Sequence, residues 1–114
     1  KVRQQFGKPI ANLQAIQMII ADIAMQTEAA RQLVYHTAEL VDAKMPYSKY
    51  ASMSKCMGGD IAMKVSIDAL QVLGGFGYMK EYPLEKLVRD AKILQIYEGT
   101  NQIQRMIIAG EVLR

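Results

Sequence analysis

The chain has 114 residues, 51% of them hydrophobic, with a formal net charge of +3 at pH 7 and a pI near 9.0. That length holds one domain and one core, and the apolar share excludes a disordered chain. The mildly basic balance points only weakly to anionic partners; no apolar run is long enough to span a membrane, and the single cysteine, Cys56, excludes an internal disulfide or a cysteine-based zinc site.

The opening KVRQQFGKPI, residues 1–10, resembles neither a signal peptide nor an initiator-methionine start, and reads as the interior of a longer protein. Arg3 precedes a tight Phe6-Gly7 turn. With Gln5, Lys8 and Gln14 it could hold a phosphate; the plain alternative is a solvated terminal arginine. From Leu13, small or apolar residues recur at Ile16, Ile20, Ile23, Ala24, Thr27, Ala30, Val34, Ala38 and Val41. Steps of three and four draw one stripe along a helix of about eight turns, with Asp22, Gln26, Arg31 and Glu39 opposite. Residues 42–48 break it, because Pro46 cannot continue a helix.

Ser48 is the expected N-cap of a second helix over 48–73, with Met53, Cys56 or Met57, Ala62, Val65, Ala69 and Leu73 on its apolar face. Cys56 reads as a half-buried thiol beside Met53 and Met57, the alternative being a reactive one. His36 has no partner at metal-ligand spacing and is assigned a surface or packing role. At residues 74–83 the glycine spacing does not match a dinucleotide fingerprint. Gly74 and Gly75 suit a left-handed helix stop, or leave room for another group to approach. A third helix is expected from Pro83 through Leu84, Leu87, Val88, Ala91 and Leu94. A fourth, capped by Thr100 or Asn101, carries Ile103, Met106, Ile107, Val112 and Leu113. No sustained period-two alternation predicts a sheet. The fold class is all-α, an antiparallel up-and-down four-helix bundle.

Charges interleave on these helices: Lys64 with Asp60 and Asp68, Lys86 with Glu85, Arg89 with Asp90. That is the pattern of a solvated face, with no basic stripe for a nucleic-acid backbone. Glu98 stands apart. It follows Ile96 and Tyr97 and precedes Gly99-Thr100, so a carboxylate falls at the junction of two helices. An exposed loop residue is the plain reading. The other is a general base, since such a carboxylate opposes one helix dipole, adjoins the start of another helix and is half-desolvated.

The run QVLGGFGYMKEYPLEKLVRDAKILQIYEGTNQIQR, residues 71–105, with RQQFGKPIANLQAIQ at residues 3–17, resembles the C-terminal domain of the acyl-CoA dehydrogenases. The resemblance implies that residues 1–114 are the last, helical-bundle domain of a larger flavoprotein, whose N-terminal helical and middle β-domains are absent from this chain. It implies that Glu98 is the catalytic base, removing the pro-R α-proton of an acyl-CoA thioester while the β-hydride passes to N5 of FAD. The product would be the trans-2-enoyl-CoA, and electrons would pass to electron-transfer flavoprotein. Tyr97 and Gly99 would border the substrate, and the Glu98 amide would bond the thioester oxygen.

The same matching implies FAD contacts from Arg3 (to the pyrophosphate), Gln14, Gln71, Val72, Leu73, Gly74, Gly75, Thr100, Asn101 and Gln102. Those of Arg3 and Gln71 would come largely from a neighbouring subunit, so a homodimer, assembled as a dimer of dimers, is implied. Gln5 departs from the small hydroxyl residue of some members. Glutamate after Gln95-Ile96-Tyr97 points to the short-, medium- or short-branched-chain group, because other members place the base elsewhere. The family also implies fatty-acid β-oxidation, in the cytoplasm of a bacterium or the mitochondrial matrix of a eukaryote. Two alternatives stay open: an acyl-CoA oxidase-like enzyme, and a non-catalytic helical domain kept for binding or assembly.

Overall fold

The computed structural model describes residues 2–114. A short hairpin leads in, β1 Gln4–Gln5 antiparallel to β2 Lys8–Pro9, in the register Gln4 opposite Pro9. Phe6 and Gly7, at φ 54° and 74°, make the two-residue turn. Both in the left-handed region is the geometry that matches strand twist. This sheet was not expected from the sequence, because two-residue strands are too short for alternation to show. A 3₁₀ turn over Ile10–Asn12 then feeds the helices.

These are α1 Gln14–Asp42, α2 Ser48–Leu73, α3 Gly75–Tyr78, α4 Leu84–Ile93 and α5 Asn101–Val112. The all-helical expectation holds, with the single-turn α3 added inside the glycine-rich break. Ser48 opens α2 as its first residue, and Tyr47 stands at the N-cap position without a side-chain bond. Pro83 sits at the N-cap of α4. Thr100 is the cap of α5, its hydroxyl accepting from the Ile103 amide at 3.3 Å.

α2 is the spine. α1 packs along it, and α4 and α5 follow one another down its length, both antiparallel to it. Leu84, Leu87 and Ala91 lie beside Ala69, Val65 and Ala62, whereas Asn101 and Arg105 lie beside Cys56 and Asp60. The break between α4 and α5 therefore falls against the middle of α2.

Among the described residues the buried apolar set is only Ile10, Cys56 and Ala91, and α1 buries no residue fully. Its sheltered face is Ile16, Ile19, Ile23, Gln26, Ala30, Leu33, Thr37 and Leu40. That corrects the expected stripe: Ile20, Val34 and Val41 remain 46–47% exposed, and Gln26 faces inward. α1 carries two apolar stripes, and only one meets α2. A helix apolar on more than one face is built to be covered on more than one side. The inner seam is partly polar, with Thr37 Oγ1 and Ser54 Oγ 2.7 Å apart and both hydroxyls reaching the Leu33 carbonyl.

The interleaved charges form ion pairs along the helices and one between α2 and α5. Lys64 pairs with Asp68, Lys86 with Asp90, Arg89 with Glu85, and Asp60 with Arg105. Helical neighbours three or four apart face each other; adjacent ones do not. His36 is exposed and meets the Tyr50 ring edge-on at 5.0 Å.

Candidate functional site

α4 ends by tightening. Ile96 N donates to Ile93 O at 2.9 Å, and Tyr97 N donates to the same carbonyl at 3.0 Å. The chain then reverses hand at Glu98 (φ 52°) and Gly99 (φ 87°) before Thr100 starts α5. Glycine takes this conformation freely; glutamate does not.

Side chains hold the turn. Gln104, buried on α5, donates Nε2 to Glu98 O at 3.2 Å, and a methyl group on Gly99 would come within 2.9 Å of that nitrogen. Lys55 of α2 donates Nζ to Gly99 O at 2.7 Å and to Asn101 Oδ1 at 2.8 Å. Asn101, 2% exposed, donates Nδ2 to Cys56 O at 3.0 Å and to Asp60 Oδ1 at 2.8 Å, while its backbone N–H reaches Gln95 O at 3.0 Å.

Asp60 gathers the rest: Gln95 Nε2 at 2.7 Å and Arg105 Nη2 at 2.5 Å. Burial works to protonate this carboxyl. Hydrogen bonds from Arg105, Asn101 and Gln95 outweigh that and hold it below its ordinary value. Asp60 in turn raises the Arg105 guanidinium above its own. Lys55, Asp60, Gln95, Gln104 and Arg105 were not read from the sequence as site residues. Lys55 and Asp60 lie about 40 residues before the turn, so only the packing of α2 against α5 brings them there.

The Glu98 side chain is exposed and, among the described residues, has neither a hydrogen-bond nor an ionic partner. The expected half-desolvation is therefore corrected: this chain alone does not shield the carboxylate. Apolar residues of the same turn and the start of α5 are uncovered too, Ile96 at 49%, Tyr97 at 44% and Ile103 at 47% exposure. The Asn101 side chain is buried, and its polar atoms bond Lys55, Cys56 and Asp60 of α2. Thr100 is half-buried and Gln102 exposed beside the turn.

The other expected residues gather elsewhere. The Arg3 guanidinium stacks on the Phe76 ring, 4.4 Å from its centroid, beside Gly74. Among the described residues Arg3 Nη1 is buried with no hydrogen-bond partner, an orphaned donor of the kind an anion completes. Gly74 ends α2 at φ 60°, ψ −139°, a conformation nearly closed to other residues, and Gly75 is already helical. Val72 and Leu73 are half-buried on a cavity of about 510 Å³ shared with Arg3, Ile10, Phe76 and Tyr82. Gln14, in the first turn of α1, and Gln71, in the last turn of α2, are exposed. Between Lys55 and Val72, α2 rises roughly 25 Å at 1.5 Å per residue. One chain thus carries two separate clusters.

Residues 1–113 match the family described as acyl-CoA dehydrogenase, C-terminal domain. An acyl-CoA dehydrogenase of Bacillus subtilis (strain 168) is 54% identical over 99% of this chain and 30% of its own length. Among solved structures, butyryl-CoA dehydrogenase from Megasphaera elsdenii superposes with a TM-score of 0.98 at 47% identity, over 100% of this chain and 30% of that one. A chain in a structure described as the electron transferring flavoprotein of Acidaminococcus fermentans gives 0.96 at 51% identity, over 98% and 30%. The chain spans about 30% of the length of the relatives it matches.

Proposed function

The chain belongs to the acyl-CoA dehydrogenase family, and from that premise we propose that the complete protein oxidises an acyl-CoA thioester between its α and β carbons, with Glu98 as the base. The observation that carries this is the turn itself. A glutamate held left-handed costs about 1–2 kcal/mol, and Lys44 in the loop between α1 and α2 bears the same cost, so it is the side chains gathered on the turn that set Glu98 apart. Here four side chains from two helices hold the turn and its flank, while the carboxylate is left free.

FAD, when bound, supplies the acceptor for the hydride leaving the β carbon. This chain supplies the rest. Glu98 takes the α-proton on a carboxylate oxygen, and its backbone N–H, which has no acceptor among the described residues, donates to the thioester oxygen. Gly99 and Tyr97 line the acyl chain. Once Ile96, Tyr97 and Ile103 are covered, water leaves the turn and the proton transfer takes place in a dry site.

Arg3 fits the diphosphate of FAD, because its buried Nη1 lacks an acceptor among the described residues and Gly74 presents no side chain beside it. Val72, Leu73, Gly75, Gln14 and Gln71 line the same end, with Thr100 and Gln102 at the other. The distance between the clusters supports a site shared by two copies of the chain, within a dimer of dimers. Likeness to the Acidaminococcus fermentans chain supports electron-transfer flavoprotein as the electron acceptor. The compartment follows the family: cytoplasm in a bacterium, mitochondrial matrix in a eukaryote.

Glu98→Gln in the complete protein tests the reading. Flavin content should stay stoichiometric while acyl-CoA-dependent reduction falls by about 10²- to 10⁴-fold or more. Reduction at the wild-type rate across a series from butyryl-CoA to palmitoyl-CoA would remove Glu98 from the chemistry.

A further inference from the structure

We infer that Lys55 is a positioning residue for Glu98: by bonding Gly99 O and Asn101 Oδ1 together, it fixes on α2 the left-handed turn that aims the carboxylate. The inference rests on the proposed role of Glu98 as base. Within the turn the Asn101 N–H to Gln95 O bond closes the chain across Glu98 and Gly99, yet Gly99 accepts either sign of φ and Glu98 prefers the opposite one. Side chains reinforce the turn from outside. Gln104 bonds Glu98 O but belongs to α5, so it fixes the turn only relative to α5. Asn101 and Asp60 fasten the start of α5 to α2 through side chains. Lys55 is the direct tie, among the described residues, from α2 to the backbone of the turn.

Its choice of partners is also telling. Lys64 and Lys86 reach carboxylates one helical turn away on exposed faces. Lys55 is half-buried and spends its charge on two uncharged oxygens, one on each side of Thr100. An ammonium with three donors is suited to bracket both at once.

The test uses the complete flavoprotein with Lys55→Met, which keeps the aliphatic stem and removes the donors, and Lys55→Arg, which restores them. Flavin content, melting temperature, flavin reduction and the KM–kcat split are measured with butyryl- to octanoyl-CoA, protiated and α-deuterated. A misplaced base predicts reduction slowed roughly 10- to 100-fold at saturating substrate, with KM and flavin content little changed. The α-deuterium isotope effect should grow, and Lys55→Arg should recover most of the rate. Hydrogen exchange in the apoprotein should rise in peptides covering residues 96–104 and not in α1. Wild-type reduction in Lys55→Met, or a raised KM with unchanged kcat, overturns the inference. If Lys55→Met loses flavin, Lys55→Gln, with fewer donors, takes its place, and a wild-type rate in any flavin-loaded variant lacking the ammonium or guanidinium overturns it equally. Glu98→Gln is run alongside. An active Glu98→Gln sinks the reading of the base, whereas an inactive one beside a fast Lys55→Met sinks only the role of Lys55.

Discussion

At the scale of single residues, Asp60 does more than its sequence context suggests. It accepts from Gln95, Asn101 and Arg105, so one carboxylate ties α2 to the end of α4 and the start of α5. Its folded-state value lies below the ordinary 3.8. A depressed carboxyl stabilises the fold above its unfolded value, and that contribution drains away as pH falls through the folded one. Asp60→Asn should therefore lower the melting temperature at neutral pH. The deficit should narrow below pH 3.8, a comparison that thermal melts of both proteins between about pH 6 and pH 3 would make. A constant gap over that range would show that the charge of Asp60 contributes nothing.

Between elements, the fold depends on close backbone approach where α2 turns into α3. A methyl group on Gly77 would stand 2.6 Å from the Leu70 carbonyl oxygen, inside any real contact. The neighbour is backbone, so α3 would have to shift. Gly77→Ala is expected to cost about 1–3 kcal/mol in chemical denaturation. Because α3 carries Phe76, on which Arg3 stacks, flavin retention in the complete protein should weaken too. The break between α4 and α5 is an element-scale device of the same kind. α4 could have run on into α5 along α2, but the reversal at Glu98 and Gly99 lifts one carboxylate out of the helical path.

For the whole molecule, the measure is surface. The chain exposes 8032 Å², against about 6,300 Å² for a compact monomer of 12.8 kDa. Its radius of gyration is 17.4 Å, where about 13 Å is usual for this length. Uncovered apolar faces on α1 and α5 account for much of the excess, with Met18, Met25, Met106 and Val112 all more than 60% exposed. Such faces call for other parts of the protein or other copies of it. Expressed alone, residues 1–114 should be helical by circular dichroism yet colourless and inactive. Purification of that piece with stoichiometric flavin would show that one chain completes the cofactor site.

Helical periodicity, Pro46, the paired glycines and the Thr100 cap were enough to place the four main helices, because those signals act within a few residues of chain. The position of Glu98 at a junction was equally local. The left-handed turn, the inward face of α1 and the roles of Lys55, Asp60 and Gln104 were not legible, since each depends on contacts between residues distant in sequence. The resemblance in residues 71–105 pointed to the family, whereas the bonds of the Asn101 side chain to α2 came only with the packing. Sequence by itself determined which segments are helical and where a carboxylate interrupts them, since propensity and capping are short-range. Tertiary structure alone decided how that carboxylate is held and which surfaces stay open, because burial and hydrogen-bond partners exist only once distant segments meet.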